Sequence, residues 1–160
     1  MSPNIGIGDS NRQSVVTILN TVLADEYVLY TKTRKYHWNI VGPQFNDLHK
    51  FFETQYEELN DVVDDVAERA RALGGHAFGT LAEFTRNARL KEQPGVHPDA
   101  GGMLKDLLGD HETVIRSLRG DLETTVSKHG DAGTSDFLTG LMETHEKMAW
   151  MLRAFVEPGR

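Results

Sequence analysis

Cysteine is absent from the 160 residues of the chain. Disulfide scaffolds, thiolate zinc sites and cysteine nucleophiles are therefore excluded, which leaves histidine, carboxylate and hydroxyl chemistry. Long hydrophobic runs are absent too, because the longest, residues 148–152, has only five members where a membrane helix needs about 20. The first residues have neither the basic start nor the apolar stretch of a secretory signal. We therefore expect a cytoplasmic protein that binds no membrane.

Positive charge is also in short supply. The chain carries 17 Lys and Arg against 24 Asp and Glu, a formal net charge of −7. Such a balance argues against a polyanion as the main partner and favours metal cations or other proteins. The length suits one domain. We expect this domain to span residues 1–160, with a flexible N-terminal tail at residues 1–9 and a short C-terminal tail at residues 157–160.

Apolar residues recur at spacings of three and four in four long segments, and no stretch alternates with period two. Glycine and proline separate these segments. The pattern predicts an all-α protein, a four-helix bundle whose helices have about 22 to 30 residues. The long middle connection, residues 74–101, is predicted to cross the length of the bundle and to hold a short extra helix around Thr80 to Thr85.

Two helix starts are predicted from capping residues. Ser10 followed by Gln13 fits a capping box at the start of the first helix. Thr134 or Ser135 is the predicted cap of the last long helix.

The polar residues of the second segment are sorted to one side of its apolar stripe. His49 and Glu53 are one helical turn apart, as are Asp64 and Glu68, so each pair can bind one ion from a single helix face. A solvated acidic face is the ordinary alternative. Within one chain the two pairs cannot share an ion, because the eleven residues from Glu53 to Asp64 span about 16 Å of helix.

The two pairs are placed symmetrically about a point between residues 58 and 59. If two copies of this helix pack antiparallel around a two-fold axis at that point, His49 faces Glu68 of the partner subunit. Glu53 then faces Asp64 of the partner subunit. The spacing therefore predicts two equivalent metal sites at one dimer interface.

Oxygen-rich ligands with one or two imidazoles suit iron(II), manganese or zinc, and the lack of thiolate removes softer choices. Iron is the favoured metal, with zinc and manganese as expected competitors. His37 ends the first segment, which should run antiparallel to the second and finish near His49, so it could complete the site. The alternative for His37 is a helix-terminal histidine interacting with the helix dipole.

The stretch from residue 35 to residue 69, KYHWNIVGPQFNDLHKFFETQYEELNDVVDDVAER, resembles the signature of the Dps mini-ferritins, the DNA-binding proteins from starved cells. Weaker resemblance follows at GDAGTSDF and HEKMAWML, so it extends over nearly the whole chain. It implies a ferritin-like four-helix bundle that assembles as a hollow homododecamer. Members of this family oxidise iron(II), preferably with hydrogen peroxide, and store the ferric mineral inside.

Carried over by position, the resemblance assigns the di-iron ferroxidase ligands to His37, His49 and Glu53 of one subunit, with Asp64 and Glu68 of its dyad mate. This assignment agrees with the symmetric spacing. Glu53 departs from the family pattern, because many members have Asp there. Trp38 is placed beside the site, and its alternative role is to cover the bundle core with an aromatic ring.

The family also places acidic pores at three-fold axes, and the resemblance assigns Asp121, Asp131 and Asp136 to them. Ordinary capping and solvation is the alternative for these carboxylates. His111 and His145 fall on apolar stripes, where we expect hydrogen-bonded core or interface histidines.

Three other functions are weighed against iron oxidation. An ordinary ferritin needs Glu-x-x-His on two helices, and no histidine here has Glu three residues before it. A DNA-binding nucleoid protein with little catalytic role is the main alternative, although both tails are nearly neutral, so we expect weak or absent DNA binding. A helical assembly without catalysis also remains, and assays of iron oxidation separate it from the leading hypothesis.

Overall fold

The computed structural model describes residues 3–157, and these form five helices and no strand. Four helices are long, and a short one lies in the middle connection, so the predicted all-α four-helix bundle is confirmed. The helices are α1 (Asp9–Asn39), α2 (Phe45–Ala72), α3 (Leu81–Asn87), α4 (Ala100–His129) and α5 (Ala132–Val156). None of the helices described is long and apolar enough to cross a membrane.

The bundle consists of two antiparallel hairpins. α1 packs along α2, α4 packs along α5, and contacts between α1 and α4 join the hairpins. Apolar side chains from all four long helices fill the interior, including Leu19, Leu29, Phe52, Leu59, Leu107, Leu118, Leu138 and Leu152. Burying one such side chain is worth about 1.5–3 kcal/mol, so the apolar stripes account for the bundle.

One arginine of the middle connection forms ion pairs with two helices of the bundle. Arg89 donates from Nε to the buried Asp25 of α1 at 2.6 Å and from Nη1 to Asp121 of α4 at 2.8 Å. The short helix α3 begins with a capping box between Thr80 and Glu83. α3 begins one residue after the predicted start, Thr80, and ends two residues after the predicted end, Thr85.

Arg12 joins the start of α1 to the end of α2. Its side chain is buried and donates from Nη1 to the Leu73 carbonyl at 2.7 Å. Nearby, Gly75 leaves no room for a side chain, because a Cβ there would come within 2.3 Å of Val16 Cγ1. A glycine is therefore required where this turn crosses α1.

Both predicted helix caps are wrong. α1 begins one residue before Ser10, with Gly8 as its N-cap and no side-chain capping bond. α5 is capped by Asp131, whose carboxylate accepts from the backbone nitrogen of Thr134 at 2.9 Å. Asp131 is the better acceptor because its charge also interacts favourably with the helix dipole.

The structure describes part of each predicted tail. Asp9 belongs to α1, and the ring of Pro3 lies against Gly74 at the end of α2. At the other end, Glu157 is the C-cap of α5. Residues 1–2 and 158–160 of the predicted tails lie outside the described range.

Candidate metal centre

His37 and His49 meet where α1 ends and α2 begins. Their rings stack with centroids 3.8 Å apart and planes 20° from parallel. Nδ1 of His37 is 2.8 Å from the carbonyl oxygen of His49, and Nδ1 of His49 is 2.9 Å from the carbonyl oxygen of His37. The turn between the helices therefore holds the two imidazoles as a pair, as the antiparallel arrangement predicted.

These hydrogen bonds fix the tautomer of both rings. A carbonyl oxygen can only accept, so each Nδ1 carries its proton and donates it. In the neutral imidazole the Nε2 lone pair is then free, and neither Nε2 makes a hydrogen bond to any other group within residues 3–157. A histidine whose Nδ1–H is held by a backbone carbonyl is the usual arrangement of a metal ligand.

Glu53 lies one turn beyond His49 on α2 and is half-buried. Its Oε1 accepts a long hydrogen bond of 3.4 Å from the hydroxyl of Tyr56. The ring of Tyr56 in turn meets the ring of His37 edge-on, with centroids 5.2 Å apart. Desolvation and the negative charges of Glu53 and Glu57 raise the pKa of Tyr56, so the phenol remains a hydrogen-bond donor at neutral pH.

Trp38 does not cover the core of its own chain, because its side chain is 64% exposed. Its ring instead packs on the guanidinium of Arg34, whose Cζ lies 4.8 Å from the ring centroid. Trp38 therefore sits at the surface, next in sequence to His37. The other tryptophan, Trp150 on α5, is 63% exposed.

Asp64 and Glu68 are exposed on the distant half of α2. Within residues 3–157 of one chain, no three His, Asp or Glu side chains converge as a metal site would require. His37 and His49 pair at the junction of α1 and α2, with Glu53 one turn further along α2, whereas Asp64 and Glu68 are exposed on the other half of α2. A shared interface site, with these five residues as ligands, stays a prediction.

The three carboxylates assigned to a pore have different surroundings. Asp131 is only 3% exposed, caps α5 and lies 3.3 Å from Arg69 Nη2. Asp121 is bound to Arg89, and Asp136 is exposed. The capping alternative therefore describes Asp131, and a pore role for the three stays a prediction.

His111 and His145 are fully buried, and their Nδ1 atoms lie 2.9 Å apart. This confirms the prediction of hydrogen-bonded core histidines. Burial, and to a smaller extent the neighbouring His145, lowers the pKa of His111 well below its usual value. Glu26 of α1 is also fully buried beside them, with Oε1 at 3.0 Å from His145 Nε2. Sequence reasoning gave Glu26 no role, although a carboxylate on the apolar stripe of α1 was the signal.

Comparison with known proteins agrees with this geometry. A family model of the ferritin-like domain matches residues 16–160. A low temperature-induced protein of Nostoc sp. is 51% identical over 154 residues, which are 96% of this chain and 86% of that protein. DNA protection during starvation protein 2 of Bacillus anthracis is 38% identical and covers 91% of this chain and 98% of its own.

A solved structure of the Dps protein of Vibrio cholerae O1 superposes with a TM-score of 0.90 at 31% identity, over 98% of this chain and 97% of that one. It is described as a member of a broad superfamily of ferritin-like diiron-carboxylate proteins. The bundle, the short helix in the long connection and these matches together show that the chain belongs to the Dps family of ferritin-like proteins.

Proposed function

We propose that this protein oxidises iron(II), with hydrogen peroxide as the preferred oxidant, and stores the ferric product in a hollow dodecamer. The oxidation takes place at sites shared by two subunits across a two-fold axis. The observation that supports this most strongly is the reciprocal bonding of His37 and His49, which leaves two Nε2 lone pairs free on adjacent stacked rings.

Each shared site has two halves. One subunit provides His37, His49 and Glu53, which lie at the junction of α1 and α2. Asp64 and Glu68 of the partner subunit complete it, because the symmetric spacing on α2 brings them opposite the first half. The incomplete ligand set within one chain supports a site of this shared kind.

The chemistry needs two iron(II) ions for each peroxide. Each ion loses one electron, the O–O bond breaks, and two added protons complete two water molecules, so that two iron(III) ions and no free hydroxyl radical result. Imidazole nitrogen and carboxylate oxygen are suitable ligands for iron(II). Negative carboxylates also stabilise the higher charge of iron(III). Tyr56 links the two parts of this half-site, because it donates to Glu53 Oε1 and meets the ring of His37 edge-on.

The proposal is tested by adding iron(II) to the purified protein without oxygen and then mixing in either peroxide or dioxygen. We expect much faster oxidation with peroxide and little hydroxyl radical in spin trapping. Native mass spectrometry of the same sample should report about twelve subunits, a closed particle built from dyad and three-fold contacts.

A matched pair of variants makes the test specific to the site. Glu53→Gln removes a ligand charge from the proposed site, whereas Glu143→Gln makes the same change at an exposed position on α5. Oxidation should slow strongly in the first variant only. Equal rates with both oxidants, or undiminished radical yield, would contradict the detoxifying reaction, and a monomer in native mass spectrometry would contradict the cage.

A further inference from the structure

The centre of the bundle contains a polar cluster that the proposed iron site does not use. Glu26 of α1, His111 of α4 and His145 of α5 are all fully buried. The buried core of the bundle is otherwise mostly apolar. Charged and polar groups are rare in such a place unless they are paired, hydrogen-bonded or bound to a metal.

Several atoms of this cluster lack a hydrogen-bond partner. Both carboxylate oxygens of Glu26, and Nε2 of both His111 and His145, are buried and unpartnered within residues 3–157. Glu26 Oε1 and His145 Nε2 are 3.0 Å apart, yet they are not aligned as donor and acceptor. The oxygen therefore lies to the side of the ring nitrogen's axis.

This arrangement suits two ligands of one ion. A cation bound by an imidazole lies on the axis of the nitrogen lone pair. A carboxylate oxygen that binds the same cation must therefore lie off this axis, to one side of the nitrogen. With bonds of about 2.1 Å and the angle of about 90° of octahedral coordination, the two ligand atoms would be about 3.0 Å apart. The unpartnered second oxygen of Glu26 is available as an additional donor.

His111 is positioned to orient His145, as a hydrogen-bond partner commonly orients a metal-binding histidine. A ligating imidazole donates its other ring N–H to an acceptor, which fixes its tautomer and its direction. Here Nδ1 of His145 lies 2.9 Å from Nδ1 of His111. If the proton between these two nitrogens belongs to His145, Nδ1 of His145 donates to Nδ1 of His111. The lone pair on Nε2 of His145 is then free to bind the ion.

We propose that Glu26 and His145 bind a divalent first-row cation such as zinc or iron(II) inside the bundle, with His111 orienting the ring of His145. The two residues supply up to three donor atoms, Nε2 of His145 and both oxygens of Glu26. This site lies within one chain, independent of the shared interface site. Because Glu26, His111 and His145 are fully buried, an ion enters and leaves only when the helices open locally, so exchange is slow.

The competing explanation is a proton. If Nε2 of His145 is protonated, it forms an ion pair with Glu26 and no metal is needed. The two explanations differ in what Glu26→Gln does to metal content, because a pair held by a proton contains no metal in either form.

The experiment uses full-length protein carrying His49→Ala and Glu68→Ala, so that the proposed interface site cannot contribute. Samples are dialysed for days against cobalt(II) as probe and passed through a desalting column. Elemental analysis should find about one cobalt(II) per subunit, with visible absorption bands of a nitrogen and oxygen site. Chelator should remove it over hours, and zinc(II) should raise the midpoint of thermal unfolding.

Adding Glu26→Gln to this background should abolish retained cobalt, while adding Glu143→Gln should not. Circular dichroism and particle mass check that each variant is folded, and His145→Gln replaces Glu26→Gln if the latter unfolds. Retention that is equal with and without Glu26→Gln, or no retained cobalt in the background protein, would overturn the proposal. Loss of iron oxidation in the background protein tests only the interface site, so the two proposals fail separately.

Discussion

His37 and His49 lie twelve residues apart on different helices, and each ring donates a hydrogen bond to the main-chain carbonyl of the other. Neither ring is oriented independently of its partner. The paired rings thus couple the junction of α1 and α2 to the proposed chemistry, since each ring is held by the main chain of the opposite helix.

Mixed particles test whether the site is shared between chains. Particles made only of His49→Ala chains, and particles made only of Asp64→Ala chains, should both be impaired, because every site is damaged in each. Refolding the two variants together in equal amounts should restore about a quarter of the sites by random pairing across the two-fold axis. Initial rates of iron(II) oxidation provide the measurement.

A site built within one chain gives a different outcome, because every subunit then keeps one damaged ligand whatever its neighbours are. Native mass spectrometry must first establish that mixed particles form. If they do and the mixture is no faster than its parents, the shared site is excluded.

Asp131 and Asp136 are expected to respond differently to the same substitution. Asp131→Ala removes the cap of α5 and the ion pair with Arg69, both in a buried setting. It should lower the free energy of unfolding by about 2 kcal/mol. Asp136→Ala, at an exposed position in the second turn of α5, should change it by less than about 0.5 kcal/mol. Urea unfolding at neutral pH compares the two.

The same pair of variants separates capping from a pore. If Asp136 lines an entry path for iron, Asp136→Ala should slow iron uptake into the particle while stability is unchanged. An Asp136→Ala particle that loads iron at the normal rate would remove this residue from the pore assignment.

Glu83 makes the start of α3 sensitive to acid. Hydrogen bonds from the backbone of Gly79, from the Thr80 side chain and from the Thr80 backbone lower the pKa of Glu83. A carboxylate with a lowered folded-state pKa contributes stability above its unfolded pKa of about 4.3 and loses it as pH falls through the folded value. Protection factors of the amide hydrogens across residues 81–87, which correct for the intrinsic slowing of exchange in acid, should therefore fall on acidification through this range.

Glu83→Gln is the matched control for that experiment, because glutamine keeps the capping-box geometry and cannot titrate. Exchange in α3 should then vary with pH only through its intrinsic chemistry. If the variant and the natural chain show the same acid response, Glu83 is not its source.

DNA binding is expected to be absent at physiological salt. Twelve copies of a chain with net charge −7 would give a particle charge of about −84, which repels the phosphate backbone. A gel shift with duplex DNA should show no retarded band. A band that persists without added divalent metal would support the nucleoid-protein alternative instead.

The helices could be predicted because their apolar residues keep the 3.6-residue period, and α2 carried its potential ligands on one side of that stripe. The meeting of His37 with His49 followed from antiparallel packing alone. The mutual carbonyl bonds did not, because they depend on the conformation of the turn at residues 40–44 and on the rotation of both rings.

Polar residues inside the core were harder to interpret from the sequence. Glu26 occupies an apolar position on α1, but only the packing of α1 against α4 and α5 reveals that His145 lies within 3.0 Å of it. Asp131, for which capping was the alternative to a pore role, caps α5 from a buried position, where Arg69 of α2 compensates its charge. Such pairings join residues that are distant in sequence, so no local sequence pattern predicts them.

Both tryptophans of the chain are largely outside the core, at Trp38 and Trp150. Indole emission depends on the polarity around the ring, and these rings are already in contact with solvent in the isolated chain. Fluorescence of the folded subunit will therefore change little when the interior melts. It will change instead when a neighbouring subunit covers an indole or when a metal binds beside Trp38. Tryptophan fluorescence of the natural chain can therefore be used to follow subunit assembly and metal loading.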